Sequence, residues 1–242
     1  MQEKIGEHPL WHLKFLPAPF NTAHADTIVV TWIAMAIVLI TVGILARFHP
    51  VTHLSKRYTL MELIVSLVGG QVETILGRNG VPFVPFIISL FLFIFTLNEI
   101  GLFPFVGRSP TADLNTTAAL AVFVILLVQG VGIARKGLGY FTHLLIKPLA
   151  LGIPMLPIMI VDELARPVTL AMRLFGNIFA GEVLLVVIAV IITAHLGIIS
   201  TLANGAPIII YAFNMFVGLI QAVVFTLLTI AYLITPTSEE EH

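Results

Sequence analysis

The sequence predicts an all-α polytopic membrane protein with about five transmembrane crossings plus an interfacial amphipathic helix, the last two helices being long and steeply tilted. Three observations predict it. Of 242 residues, 58% are hydrophobic and only 10% charged, far outside the soluble range. The mean hydropathy is +1.05. Apolar runs of spanning length alternate with short loops in which Lys and Arg collect, as loops on the cytoplasmic side do.

Taken in order, residues 1–26 form an external amino-terminal segment, where Pro9, Pro17 and Pro19 discourage a long helix and Trp11 suits a membrane interface. Glu7, His8 and His12 do not make a metal site, because Pro9 breaks the helix that a His-x-x-x-His pair needs. Residues 27–47 are the first crossing, ending in Arg47 without a small-residue cleavage pattern, so the run reads as a retained span. Over 60–78 the polar positions Glu62, Ser66, Gly69, Gly70 and Glu73 recur at helical spacing. That run is short and charged, and is expected to lie at the interface.

Residues 82–105 and 114–134 form a helical hairpin, with Asn98 and Glu99 near the far end of the first arm and Glu99 expected to be interfacial. Between positions 137 and 157 glycines and prolines predict a loop with short helical pieces. Two long helices follow, 158–196 and 206–235, of ~58 Å and ~45 Å against a hydrocarbon core of ~30 Å. Both must tilt, kink or protrude. Pro167 is placed to kink the first, and Pro207 to start the second. Residues 236–242 are a cytoplasmic tail. Five crossings put the amino terminus outside, which agrees with the inward bias of Lys and Arg.

Net charge is −1 with the twelve Lys and Arg scattered, so no basic patch suggests nucleic acid. The Gly137-x-Gly139 pair is too weak for a phosphate loop and no Walker-type motif occurs, so no nucleotide binding is expected. Cysteine is absent, which excludes disulfides and thiolate metal sites.

The informative stretch is 162–182, where Asp162, Glu163, Arg166, Arg173 and Glu182 sit in membrane helix. A charge at bilayer depth costs ~3 kcal/mol on insertion scales, so these residues point to an ion path or a counter-charge. At ~100° per residue, Asp162, Arg166, Thr169, Asn177 and Ala180 fall within ~40° of Arg173, whereas Glu182 lies near 180° and ~13.5 Å along the axis. Arg173 and Glu182 cannot pair within the helix. Gly176 and Ala180 beside Arg173 open a small-residue face to another helix. On the last helix Asn214, Gln221 and Tyr232 share a polar stripe within ~20° that would face a neighbour's charges.

The run Arg173-Leu174-Phe175-Gly176-Asn177, with Arg166-Pro167 before it and Ala180-Gly181-Glu182 after, resembles the signature of subunit a of the membrane (Fo) sector of rotary F-type ATP synthases. Gln221-Ala222 with Tyr232 eleven residues on, Asp113-Leu114-Asn115-Thr116-Thr117, and Lys136-Gly137-Leu138-Gly139-Tyr140 extend the resemblance over nearly the whole chain. It implies a stator subunit of the proton-translocating motor, with two offset half-channels and an essential arginine facing the carboxylates of a rotating c-ring. Arg173 would be the counter-charge and barrier. The proton path would comprise Glu182, Asn177, Gln221, Asn214 and His195 with Tyr232, and Asp162 and Glu163 at the inner end. Seven residues before Gln221, where some members carry an ionisable group, this chain has Asn214.

The resemblance further implies no cofactor, H⁺ as the transported ion with Na⁺ as the other candidate, and no enzyme activity in the subunit by itself. Expected partners are the c-ring, peripheral-stalk b-type subunits and the rest of the synthase in a lipid bilayer. A bacterial plasma membrane is the expected location, a thylakoid membrane the other. The competing class is a secondary proton-coupled transporter, which would normally show internal repeats and broken helices; the sequence shows no convincing repeat.

Overall fold

The computed structural model describes residues 10–12, 22–47, 56–103, 109–137, 140, 149–193 and 206–237. Their architecture is helical: α1 Ala25–Arg47, α2 Lys56–Leu76, α3 Val84–Ile100, α4 Leu114–Lys136, α5 Leu149–Thr193, α6 Ala206–Tyr232 and a last turn α7 Ile234–Thr237. Five tracts are long and apolar enough to cross a membrane: Ala25–Ile44, Glu62–Ile100, Leu114–Lys136, Met155–Ile188 and Ile208–Thr237. The chain is a polytopic, essentially all-α membrane protein.

Four boundaries differ from the sequence expectation. The helix expected from 158 begins at Leu149, so much of the predicted loop is helical and Pro154, Pro157 and Pro167 all lie inside α5. Each proline removes one backbone donor, but the apolar residues between them favour continued helix in a medium that cannot hydrate free backbone groups. At 45 residues α5 extends ~68 Å, more than twice the hydrocarbon thickness. The run expected at 60–78 is helical from Lys56 to Leu76, then gives way to a 3-10 segment, Gly77–Phe83, entered through Gly77 at φ 61°. The arm expected at 82–105 is regular only over Val84–Ile100, and the last helix breaks at Leu233. Within the amino-terminal segment Leu10–His12 pairs antiparallel with Thr22–His24, a short hairpin the sequence did not suggest.

Helix ends are fixed by local chemistry. Asp113 caps α4 by accepting from the Asn115 N–H, and its other oxygen takes the His24 Nδ1 at 2.5 Å and the Thr27 hydroxyl at 3.4 Å. One carboxylate therefore ties the start of α1 to the start of α4. At the opposite end, Gly137 stops α4 at φ 61°, and Lys136 Nζ donates to the Thr235 carbonyl in α7.

The core runs through α2, α3, α4, α5 and α6, with Val72, Ile87, Ile94, Val124, Leu174 and Phe225 fully or almost fully buried. Lipid is as apolar as these side chains, so close packing and interhelical hydrogen bonds, not water exclusion, hold the helices together. α1 lies apart from this core, packed by Ala34 on Leu97 and Ile100. The result that matters for the site is that α6 is wedged between α3 and α5.

Candidate functional site

The polar stripe of α6 meets α5 along its whole length. Asn214 Oδ1 lies so close to Gly181 that a Cβ there would fall 2.4 Å from it. Gln221, buried, accepts from Asn177 Nδ2 at 2.9 Å. Tyr232 offers its ring to Arg166, whose guanidinium carbon stands 5.4 Å from the ring centroid. Residues 181, 177 and 166 descend as 214, 221 and 232 ascend, so the two helices run antiparallel.

Glu182 opens into a cavity of about 370 Å³ whose lining includes Asn98, Ser109, Asn177, Tyr211 and Asn214. Its Oε1 accepts the Ser109 backbone N–H at 2.7 Å. Ser109 is buried, with its hydroxyl donating to the Leu97 carbonyl at 2.7 Å and sharing a 2.6 Å hydrogen bond with Thr111. Ser109, the N-cap of the 3-10 turn Pro110–Ala112 that leads into α4, thus holds the carboxylate. Ser109 was not among the sequence candidates, because a backbone donor carries no residue signature.

A second polar cluster lies toward the other end of α5. Arg166 bridges Glu163 at 2.9 Å and Asp162 at 3.2 Å. Glu163 also accepts from Gln129 of α4. Tyr140, buried against Gly132, has its phenol pushed up by burial first and by the Glu163 charge second, with Arg166 pulling the other way. Gln129, a lone polar residue in an apolar run, is the signal sequence reasoning passed over, and Tyr140 enters there only as part of the Lys136–Tyr140 run.

Arg173 stands between these clusters. It is exposed, and among the described residues it pairs with no carboxylate. Around it Thr169, Asn177 and Ala180 are exposed, and a Cβ on Gly176 would meet nothing within 4 Å. The face is open. Exposed Val168, Met172, Phe179 and Val183 lie to one side of it, ~80–140° round the helix from Arg173. The structure therefore brings Glu182, Asn177, Asn214 and Gln221 together, groups Asp162, Glu163 and Tyr232 around Arg166, and leaves Arg173 apart from both. His195 lies outside the described residues.

Glu99, expected at an interface, is half-buried one residue from the end of α3 and packs against α6. A Cβ on Gly218 of α6 would fall 2.6 Å from its Oε1, an atom buried without a hydrogen bond to any of the described residues. Its neighbour Asn98 donates to the Gly218 carbonyl at 2.9 Å. The missing side chain at Gly218 lets α3 approach α6 closely enough to cover that oxygen.

Known proteins match this chain over most of its length. The family model described as ATP synthase A chain matches residues 28–234. A protein from Desulforamulus reducens named ATP synthase subunit a is 38% identical over 92% of this chain and 81% of its own length. Proteins of the same name from Bacillus pumilus and Bacillus subtilis are 34% and 35% identical, covering 94% and 91% of this chain and 96% and 94% of theirs. The match takes in both helices of the site, and the chain belongs to the ATP synthase A chain family, subunit a of F-type ATP synthases.

Proposed function

We propose that this subunit is the stator of a proton-driven rotary motor, providing two offset half-channels that meet a c-ring carboxylate at Arg173. The outer path starts at the Glu182 cavity and the inner one at the Glu163–Arg166 cluster. The observation that carries the reading is the exposed Arg173, which pairs with no carboxylate among the described residues, on an open small-residue face between two polar clusters. A permanently charged guanidinium attracts a deprotonated carboxylate brought to that face and repels a proton moving directly from one cluster to the other. Each charge moved across 100 mV releases ~2.3 kcal/mol, which becomes rotation only if the paths do not connect.

On this reading the ion is H⁺, the partners are the c-ring, b-type stalk subunits and the catalytic sector, and the subunit itself binds no nucleotide. The membrane is a bacterial plasma membrane, with α2 along its inner surface. Family membership speaks against an independent secondary transporter. ATP-driven pumping by vesicles carrying the whole complex tests the proposal. Arg173→Ala should abolish pumping with the complex still assembled, and Arg173→Lys should fail nearly as badly because a point charge lacks the delocalised fork. Wild-type pumping by the Lys variant, or pumping that requires Na⁺, would overturn the corresponding part.

A further inference from the structure

Three polar atoms are buried without a hydrogen-bond partner among the described residues along one seam: Asn98 Oδ1 and Glu99 Oε1 on α3, and Gln221 Nε2 on α6. Asn98 is 4% exposed and Gln221 2%. An amide atom or a carboxylate left this way in lipid is costly, and ionisable groups there mark ion pathways. All three sit around a short stretch of α6. Asn214 lines the Glu182 cavity, Gly218 carries the Asn98 bond and the Glu99 contact, and Gln221 takes the Asn177 bond. From 214 to 218 to 221 the axial steps are ~6 Å and ~4.5 Å.

Those steps are the length of a hop over one or two waters, and each stop presents polar atoms to hold them. Asn98 belongs to both ends of the first step, lining the cavity and bonding Gly218. Asn214, Asn98, Asn177 and Gln221 are amides, which orient water but do not take up a proton at ordinary pH. Between the Glu182 cavity and Gln221, Glu99 is the titratable side chain against α6 among the described residues. We propose that Glu99 is a second proton-relay residue of the outer path, passing protons from the Glu182 cavity across Gly218 to the Asn177–Gln221 pair. The inference rests on the half-channel reading.

The step is a simple exchange. Carboxylate Oε1 accepts a proton from a hydronium on the cavity side, forming an O–H bond and leaving a water. The acid then gives that proton to a water on the Gln221 side and returns to the carboxylate. Nothing is consumed. Glycine at 218 is part of the device, because any side chain there would occupy the place of Oε1.

Passive proton flow under an imposed potential, in membranes stripped of the catalytic sector and matched for complex content, tests it in three variants. Glu99→Gln, of the same shape, should cut flow at least fivefold, and Glu182→Gln should do the same. Adding Asn214→Glu to Glu99→Gln, which restores a carboxyl one turn away on α6, should recover a substantial part of the flow. A structural role for Glu99 predicts no such recovery. Wild-type flow in Glu99→Gln with impaired flow in Glu182→Gln overturns the Glu99 assignment and leaves the outer path standing. Wild-type flow in both overturns the outer path as well. Should Glu99→Gln fail to assemble, Gly218→Ala decides: a methyl 2.6 Å from Oε1 must displace the carboxylate, so flow should fall severalfold, and unchanged flow overturns the assignment.

Discussion

Asn177 Nδ2 donates to Gln221 Oε1 at 2.9 Å, and this bond fixes the depth at which α5 and α6 pass each other. Asn177 is one turn from Arg173, so the same bond fixes the height of the arginine against α6. Single replacements by Leu should each destabilise the helix pair. Their double-mutant cycle, read from thermal dissociation of the purified complex, should show a coupling of ~0.6 kcal/mol, typical of interhelical hydrogen bonds in membranes. Strict additivity would mean the bond contributes nothing.

Gly181 and Asn214 give a steric test of the cavity. A methyl at 181 would fall 2.4 Å from Asn214 Oδ1 and 2.9 Å from its Cγ, so the amide must rotate away from its place beside Glu182. Gly181→Ala should lower ATP-driven pumping severalfold. The double variant Gly181→Ala/Asn214→Ala should pump as Asn214→Ala alone does, because the clash and the amide are both gone. If the double variant pumps far worse than Asn214→Ala, the glycine serves something other than room for Asn214.

At the other end, Tyr232 meets Arg166 through its ring, and its hydroxyl bonds to none of the described residues. A cation over an aromatic face is worth ~0.5–1 kcal/mol at exposed sites. Tyr232→Phe should therefore keep near wild-type pumping, whereas Tyr232→Leu should loosen the Asp162–Arg166–Glu163 cluster and lower it. Loss of pumping in the Phe variant would instead place the hydroxyl on the proton path.

Much of this arrangement is legible in the sequence because helical periodicity places residues on faces. The Arg173 face and the Asn214–Gln221–Tyr232 stripe follow from residue spacing alone, and the structure puts the first open and the second against α5. What spacing does not give is which face meets which neighbour. Gly101 and Pro104 place Glu99 at the end of its helix, but its contact with α6 depends on the gap at Gly218, 119 residues away, which spacing does not show. Ser109 is invisible for a different reason, since its role toward Glu182 belongs to its backbone N–H. α5 starts at Leu149, ahead of the expected 158, because proline counts against helix in water, where freed carbonyls are hydrated, more than in lipid.

The separation of the two paths can be read by thiol labelling, and the absence of cysteine from the chain makes single replacements clean. Glu163 lies within the Arg166 cluster and Glu182 lines the cavity at the other side of Arg173. Along α5 the steps are ~15 Å from 163 to 173 and ~13.5 Å from 173 to 182. A thiolate reacts only where water reaches it, so labelling reports hydration. Cysteine at 163 should react with a membrane-impermeant reagent from the cytoplasmic face, and cysteine at 182 from the outer face. Leu185 lines the cavity and should follow 182, whereas Val187 is exposed on α5 without lining it and gives the background. If 163 and 182 react equally from both faces, the water path is continuous past Arg173 and the arginine separates nothing.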